Sequence, residues 1–131
     1  MGKEELASFR FAQHYPNLGD GPVPVEPYIS ADYFEREREA VFKRHWLNVG
    51  RADAIPNAGD YFVKDLAVLG ASVLVIRGDD GQVRAFHNVC QHRGNLLAYD
   101  ERGCRKALTC SFHGWVYDSR GRLVDVSDQA E

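Results

Sequence analysis

Apolar positions recur at two different spacings along the chain. In "SADYFEREREAVFKRHW", residues 30–46, Phe34, Val41, Phe42 and His45 fall on one face at helical spacing, which predicts a helix with a packed stripe. Ser30 can cap its first turn, Asp32 suits the positive end of the helix dipole, and Glu39 with Lys43 forms an i,i+4 pair. Beyond Asn48 the pattern turns to short runs of aromatic and β-branched residues. "DYFVKDL", "ASVLVIRG", "VRAFHNV" and "KALTC" read as strands, with "DDGQ" a turn before the third. "WVYDSRGRLVDV" reads as a hairpin turning at Asp118, Ser119 and Gly121. Turns every 8 to 12 residues predict a mainly β domain, an antiparallel sandwich or barrel.

Ahead of the helix, residues 13–27 hold four of the five prolines, and this stretch reads as an extended arm. The organisation expected is therefore an arm and helix over 1–47 and a β domain over 48–131. The 131 residues suit one domain, and a 44% hydrophobic content argues for a folded chain. The net charge of −3 comes from interspersed acids and bases, with no basic stripe for nucleic acid. No apolar run approaches the roughly 20 residues that span a bilayer. The N-terminus lacks the apolar core of a signal peptide, so a cytoplasmic location is expected. Phosphate-binding glycine motifs are absent.

The chemistry gathers around three cysteines and five histidines. "NVCQHRGNLL" sets Cys90 and His92 one residue apart, followed by Arg93 and Gly94. Twenty residues on, "CSFHGW" sets Cys110 and His113 two apart, followed by Gly114 and Trp115. Either pair alone is weak, since a lone cysteine is usually a small buried hydrophobe. Together they place one thiolate and one imidazole in each of two loops. Zinc fingers usually group two cysteines and then two histidines. A two-iron, two-sulfur cluster matches this donor set when one iron takes both cysteines and the other both histidines. Exchanging two thiolates for neutral imidazoles makes the cluster less negative. Its potential then rises to about −150 to +300 mV, from about −400 mV in plant-type ferredoxins. Gly94 and Gly114 allow tight turns that bring amides toward the sulfurs. A Cys–His nucleophile needs only one activated thiol and an oxyanion site, so two equivalent pairs argue against it. Cys104 is left over and reads as a bystander.

"CQHRGN" and "CSFHGW" resemble the Rieske signature. Subunits of respiratory complexes carry a further cysteine in each loop, where this chain has Asn95 and Phe112, and a serine where it has Trp115. "CQHRGNLL" and "CSFHGWVYDSRGRL", together with the upstream "YFEREREAVFKRHWLNVGRADAIPNAGDYFV", resemble the α subunits of Rieske non-haem iron aromatic-ring-hydroxylating oxygenases over about residues 28–126. The resemblance implies a Rieske-type antiparallel β-sandwich with two cluster-binding loops. It implies that Cys90 and Cys110 bind the buried iron of the cluster, and His92 and His113 the outer one. Arg93, Gly94, Gly114 and Trp115 would then support the loops, and His113 would be the electron exit.

The same resemblance implies a reductase or ferredoxin as donor and a homotrimer or α3β3 assembly. It also implies a mononuclear Fe(II) that activates dioxygen for attack on an aromatic or other organic substrate. Beyond the four proposed ligands only His14, His45 and His87 remain, so that iron site is not expected in these residues. The chain reads as the N-terminal part of a longer α subunit, able to transfer electrons but not to hydroxylate. Further strands are expected after "RLVDV"; without them an open sheet edge should favour self-association. The alternative is a stand-alone Rieske-type ferredoxin, against which the arm and helix stand. A structural zinc module is the remote alternative.

Overall fold

In the computed structural model of the chain, residue 17 and residues 21–127 are described. Contacts divide the chain into two compact units, Met1–Arg36 and Glu37–Glu131. Most of the proline-rich arm lies outside the described residues. Residues 22–24 have no regular structure, and Glu26–Ile29 form one helical turn, α1, where an extended arm is expected from the prolines. Pro27 sits in its first turn, where its missing N–H leaves no intrahelical bond unmade.

Helix α2, Ala31–Glu37, starts as expected, with the Tyr33 amide donating to Ser30 Oγ at 3.2 Å. The α-helix does not reach residue 46. Arg38–Phe42 is a π-helix, in which the Lys43 amide reaches the Arg38 carbonyl five residues back. Arg44 Nε and His45 Nδ1 then engage the carbonyls of Glu39 and Val41, so side chains finish the last turn. Lys43 Nζ pairs with Glu39 at 2.5 Å. Of the predicted packed stripe only Phe42 is half-buried: Phe34 is 42% and Val41 46% exposed, and His45 is exposed. Trp46 beside it is fully exposed.

The second unit holds the sheets. Strands β1 (Asp60–Leu66), β2 (Ala71–Arg77), β3 (Val83–His87) and β4 (Arg102–Cys104) form one antiparallel sheet in the order β3-β2-β1-β4. Strands β5 (Ala107–Thr109), β6 (Val116–Asp118) and β7 (Leu123–Asp125) form a second, in the order β5-β6-β7. The sequence pattern does not predict β4. It is three exposed residues around a glycine with no alternation, and only its pairing of Asp60 with Cys104 and Phe62 with Arg102 makes it a strand.

Period-2 alternation divides the core between the two faces of β1 and β2. Tyr61, Leu74 and Ile76 join Leu108 and Tyr117 of the second sheet, and Cys90, Leu97, Ala98 and Cys110 complete that cluster. Phe62 and Val75 point the other way and pack with Ile55. The two cysteines of the candidate site are thus part of the core that joins the sheets. Among the described residues, no helix is long and apolar enough to cross a membrane.

Candidate metal centre

The two loops close by the same backbone pattern. The Cys90 amide donates to the Asn95 carbonyl at 2.7 Å, and the Gly94 amide donates to the Cys90 carbonyl at 3.0 Å. Cys110 repeats this with Trp115 at 2.8 Å and Gly114 at 3.0 Å. Each loop therefore turns back on its cysteine at the fourth and fifth following residues. The turn needs a left-handed residue at its fourth place, and Gly94 and Gly114 supply it with φ of 73° and 71°.

Asn88 anchors the first loop. It is 2% exposed, and its Oδ1 accepts the amides of Leu97 at 3.2 Å and Ala98 at 2.9 Å. Its Nδ2 donates to the Ala98 carbonyl at 2.7 Å. The second loop is carried between β5 and β6, whose register pairs Thr109 with Val116.

These closures bring all four predicted ligands into one region, as two pairs. Cys90 and Cys110 are each 2% exposed and lie in the same buried core cluster. His92 and His113 lie edge to face with centroids 4.6 Å apart. Among the described residues no three His, Cys, Asp or Glu side chains converge on a single ion. A paired layout suits two metal centres better than one tetrahedral ion.

The donor atoms fit such a group. His113 Nδ1 is buried and has no hydrogen-bond partner. A buried ring nitrogen left unpaired costs about 1–3 kcal/mol, and a metal at its lone pair would remove that cost. Burial pushes the Cys110 thiol up. The backbone amides of Phe112 and His113, with Cys90 and Asn95, outweigh it, and the net shift is downward, toward the thiolate that ligation requires. Burial and the neighbouring Cys90 hold the Tyr117 hydroxyl above its ordinary range.

The supporting residues divide by what they touch. Trp115, half-buried, stacks on His92 with centroids 4.6 Å apart and planes 8° apart. Arg93 lies 5.7 Å over the exposed Phe112 ring, which packs 4.0 Å from His113. Cys104 is exposed on β4, its thiol directed at the Ala58 carbonyl at 3.8 Å. Three participants do not stand out in the sequence as partners of the site: Asn88, Tyr117 and the side chain of Asn95. Only Tyr117 carries a signal, its place in "HGWVYD".

Comparison with known proteins agrees with this geometry. Residues 45–131 match the Rieske [2Fe-2S] domain. The large oxygenase component of the naphthalene 1,2-dioxygenase system of Pseudomonas aeruginosa is 41% identical over 100 residues, 76% of this chain and 22% of that protein. The carnitine monooxygenase oxygenase subunit of Escherichia coli is 36% identical over 102 residues, 78% of this chain and 27% of that protein. A solved quaternary ammonium Rieske monooxygenase matches with a TM-score of 0.75 and 33% identity, over 81% of this chain and 29% of its own. The chain spans about a quarter of the length of these relatives.

Proposed function

The chain belongs to the Rieske [2Fe-2S] domain family, and from that premise we propose that Cys90 and Cys110 hold one iron of the cluster and His92 and His113 the other. The observation that carries this assignment is the buried, unpartnered Nδ1 of His113 together with two buried cysteines of one core cluster. When bound, the cluster supplies a one-electron couple in the Rieske range.

The chain's own residues prepare that couple. The amides of Phe112 and His113 favour the Cys110 thiolate, and Tyr117 serves Cys90. Trp115 fixes the plane of the His92 ring, and Phe112 covers one side of His113. The half-exposed His113 is the proposed electron exit. Because the relatives are components of a dioxygenase and a monooxygenase, the proposed setting is an oxygenase α subunit. There a reductase or ferredoxin is the donor, a mononuclear iron outside these residues is the acceptor, and a homotrimer or α3β3 is the assembly. The reaction of the whole is hydroxylation of an aromatic or other organic substrate. The domain of residues 48–131 carries the electron, and catalysis belongs elsewhere.

The test is metal and sulfide analysis with electron paramagnetic resonance of the reduced chain. Two irons, two acid-labile sulfides and a Rieske-type spectrum are expected. Zinc in their place overturns the assignment. His113→Cys, if it keeps a cluster, should lower the midpoint potential, and an unchanged midpoint removes His113 from the ligand set.

A further inference from the structure

The fifth residue of each loop accepts its own cysteine's amide through its carbonyl, and it sends its side chain across to the other loop. Trp115 does so by stacking on His92. Asn95 does so with its amide. Asn95 Nδ2 lies 3.2 Å from Ser111 Oγ and 3.7 Å from Cys110 Sγ, both in the second loop, and 3.1 Å from the Leu96 carbonyl. Its Oδ1 accepts the Tyr99 hydroxyl at 3.0 Å.

Which end of this amide faces the sulfur follows from its neighbours. The Leu96 carbonyl and a ligating thiolate can only accept, so both call for the N–H end. The Tyr99 hydroxyl, standing at Oδ1, can donate. A flipped amide would set Oδ1 against a carbonyl and a thiolate, and would leave Tyr99 facing two N–H bonds. Tyr99 is 63% exposed and packs into no core cluster, so its hydrogen bond to Asn95 is its main tie to the site.

We propose that Asn95, held in one orientation by Tyr99, is a positioning residue that turns the positive end of its amide toward Cys110 and raises the cluster's reduction potential. The inference rests on Cys110 being a ligand. Reduction adds negative charge shared with the ligand sulfurs, and a fixed dipole with its positive end 3.7 Å away favours the reduced form. At 3.7 Å the contact works as an oriented dipole rather than a short hydrogen bond, so its orientation matters as much as its presence. The same side chain ties the two ligand loops together through Ser111.

The experiment is a redox titration, followed by electron paramagnetic resonance, of the cluster-loaded full chain. It compares wild type with Asn95→Leu, Asn95→Asp, Tyr99→Phe and Asn95→Leu/Tyr99→Phe. Asn95→Leu should shift the midpoint down, and Asn95→Asp further down, because it sets a negative oxygen where the N–H stood. Tyr99→Phe should shift it down by less than Asn95→Leu, and should add nothing in the Asn95→Leu background, since Tyr99 acts only through Asn95. A midpoint in Asn95→Asp at or above that of Asn95→Leu overturns the proposal. So does a Tyr99→Phe shift that persists undiminished in the double variant. Where an Asn95 variant keeps no cluster, Tyr99→Phe alone decides: a downward shift supports the relay, and an unchanged midpoint ends it. A wild-type chain without a Rieske spectrum would instead remove the ligand assignment itself.

Discussion

The Tyr117 hydroxyl lies 3.3 Å from Cys90 Sγ, although 27 residues separate the two in the chain. The same oxygen accepts the Gln91 amide at 3.0 Å, which leaves its own proton for the sulfur. A ligating Cys90 has no proton to give, so the phenol is the donor. A donor to a ligand sulfur stabilises the more negative, reduced state. Tyr117→Phe should therefore lower the midpoint, with about 1 kcal/mol of differential stabilisation corresponding to ~40 mV for one electron. Redox titration of the loaded chain measures this, and an unshifted midpoint with intact cluster would exclude the role.

Repetition makes much of this molecule legible in its sequence. The aromatic and β-branched runs mark β1 and β2: "DYFVKDL" matches its strand residue for residue, and "ASVLVIRG" exceeds its strand only by Gly78. The ligand candidates stand out because a cysteine–histidine–glycine arrangement occurs twice. What stays hidden lies in contacts between distant positions. Asn88 reads as the end of the predicted strand "VRAFHNV" until Leu97 and Ala98 are folded onto it, and Asn95 only as the place of a missing cysteine until Ser111 and Cys110 stand opposite. The helix stripe departs from expectation for a related reason. Periodicity tells which side chains share a face, but a face needs a partner to be buried. Among the described residues Phe34 and Val41 remain open to solvent.

Asn88→Leu should destabilise the fold with no change to any ligand. Three backbone groups depend on this side chain: the amides of Leu97 and Ala98 and the carbonyl of Ala98. Each buried group left unpaired costs about 1–3 kcal/mol, so a loss of roughly 3 kcal/mol or more is expected. Urea unfolding measures it. A loss below about 1 kcal/mol would mean that water reaches those groups.

The two loop glycines should not be equivalent. Gly94 has open space where a side chain would stand, so Gly94→Ala carries only the left-handed backbone cost of about 1–2 kcal/mol. At Gly114 an added Cβ would run into Ser127 Oγ, the atom that donates to the Gly114 carbonyl at 3.2 Å. Gly114→Ala should therefore be the more damaging of the two. Adding Ser127→Gly should relieve the collision and leave a cost close to that of Gly94→Ala. Unfolding free energies of the three variants test the order, and equal costs for the two single variants would show that Ser127 simply moves aside.

Acid sensitivity should be traceable in part to Asp80, in the turn between β2 and β3. Its carboxylate receives two hydrogen bonds from Arg84, at 2.9 and 2.7 Å, and the Gln82 amide at 3.2 Å. Arg120, from the β6–β7 turn, stands 3.2 Å away, so this one carboxylate links the turns of the two sheets. The Arg84 guanidinium, then the Gln82 amide, hold its carboxyl well below the usual carboxylate range. A pKa lowered by folding gives stability that is fully present above the unfolded value of about 3.9 and is lost as pH falls toward the folded one. Wild type should accordingly exceed Asp80→Asn in stability by a constant margin above about pH 5, with the margin shrinking below about pH 4. Added salt should narrow it at neutral pH, because these side chains are partly open to solvent. Urea unfolding of both proteins across that range provides the check. A margin independent of pH would show that Asp80 contributes through turn geometry alone, since the amide of Asn can keep the Gln82 contact but not the charge that Arg84 and Arg120 share.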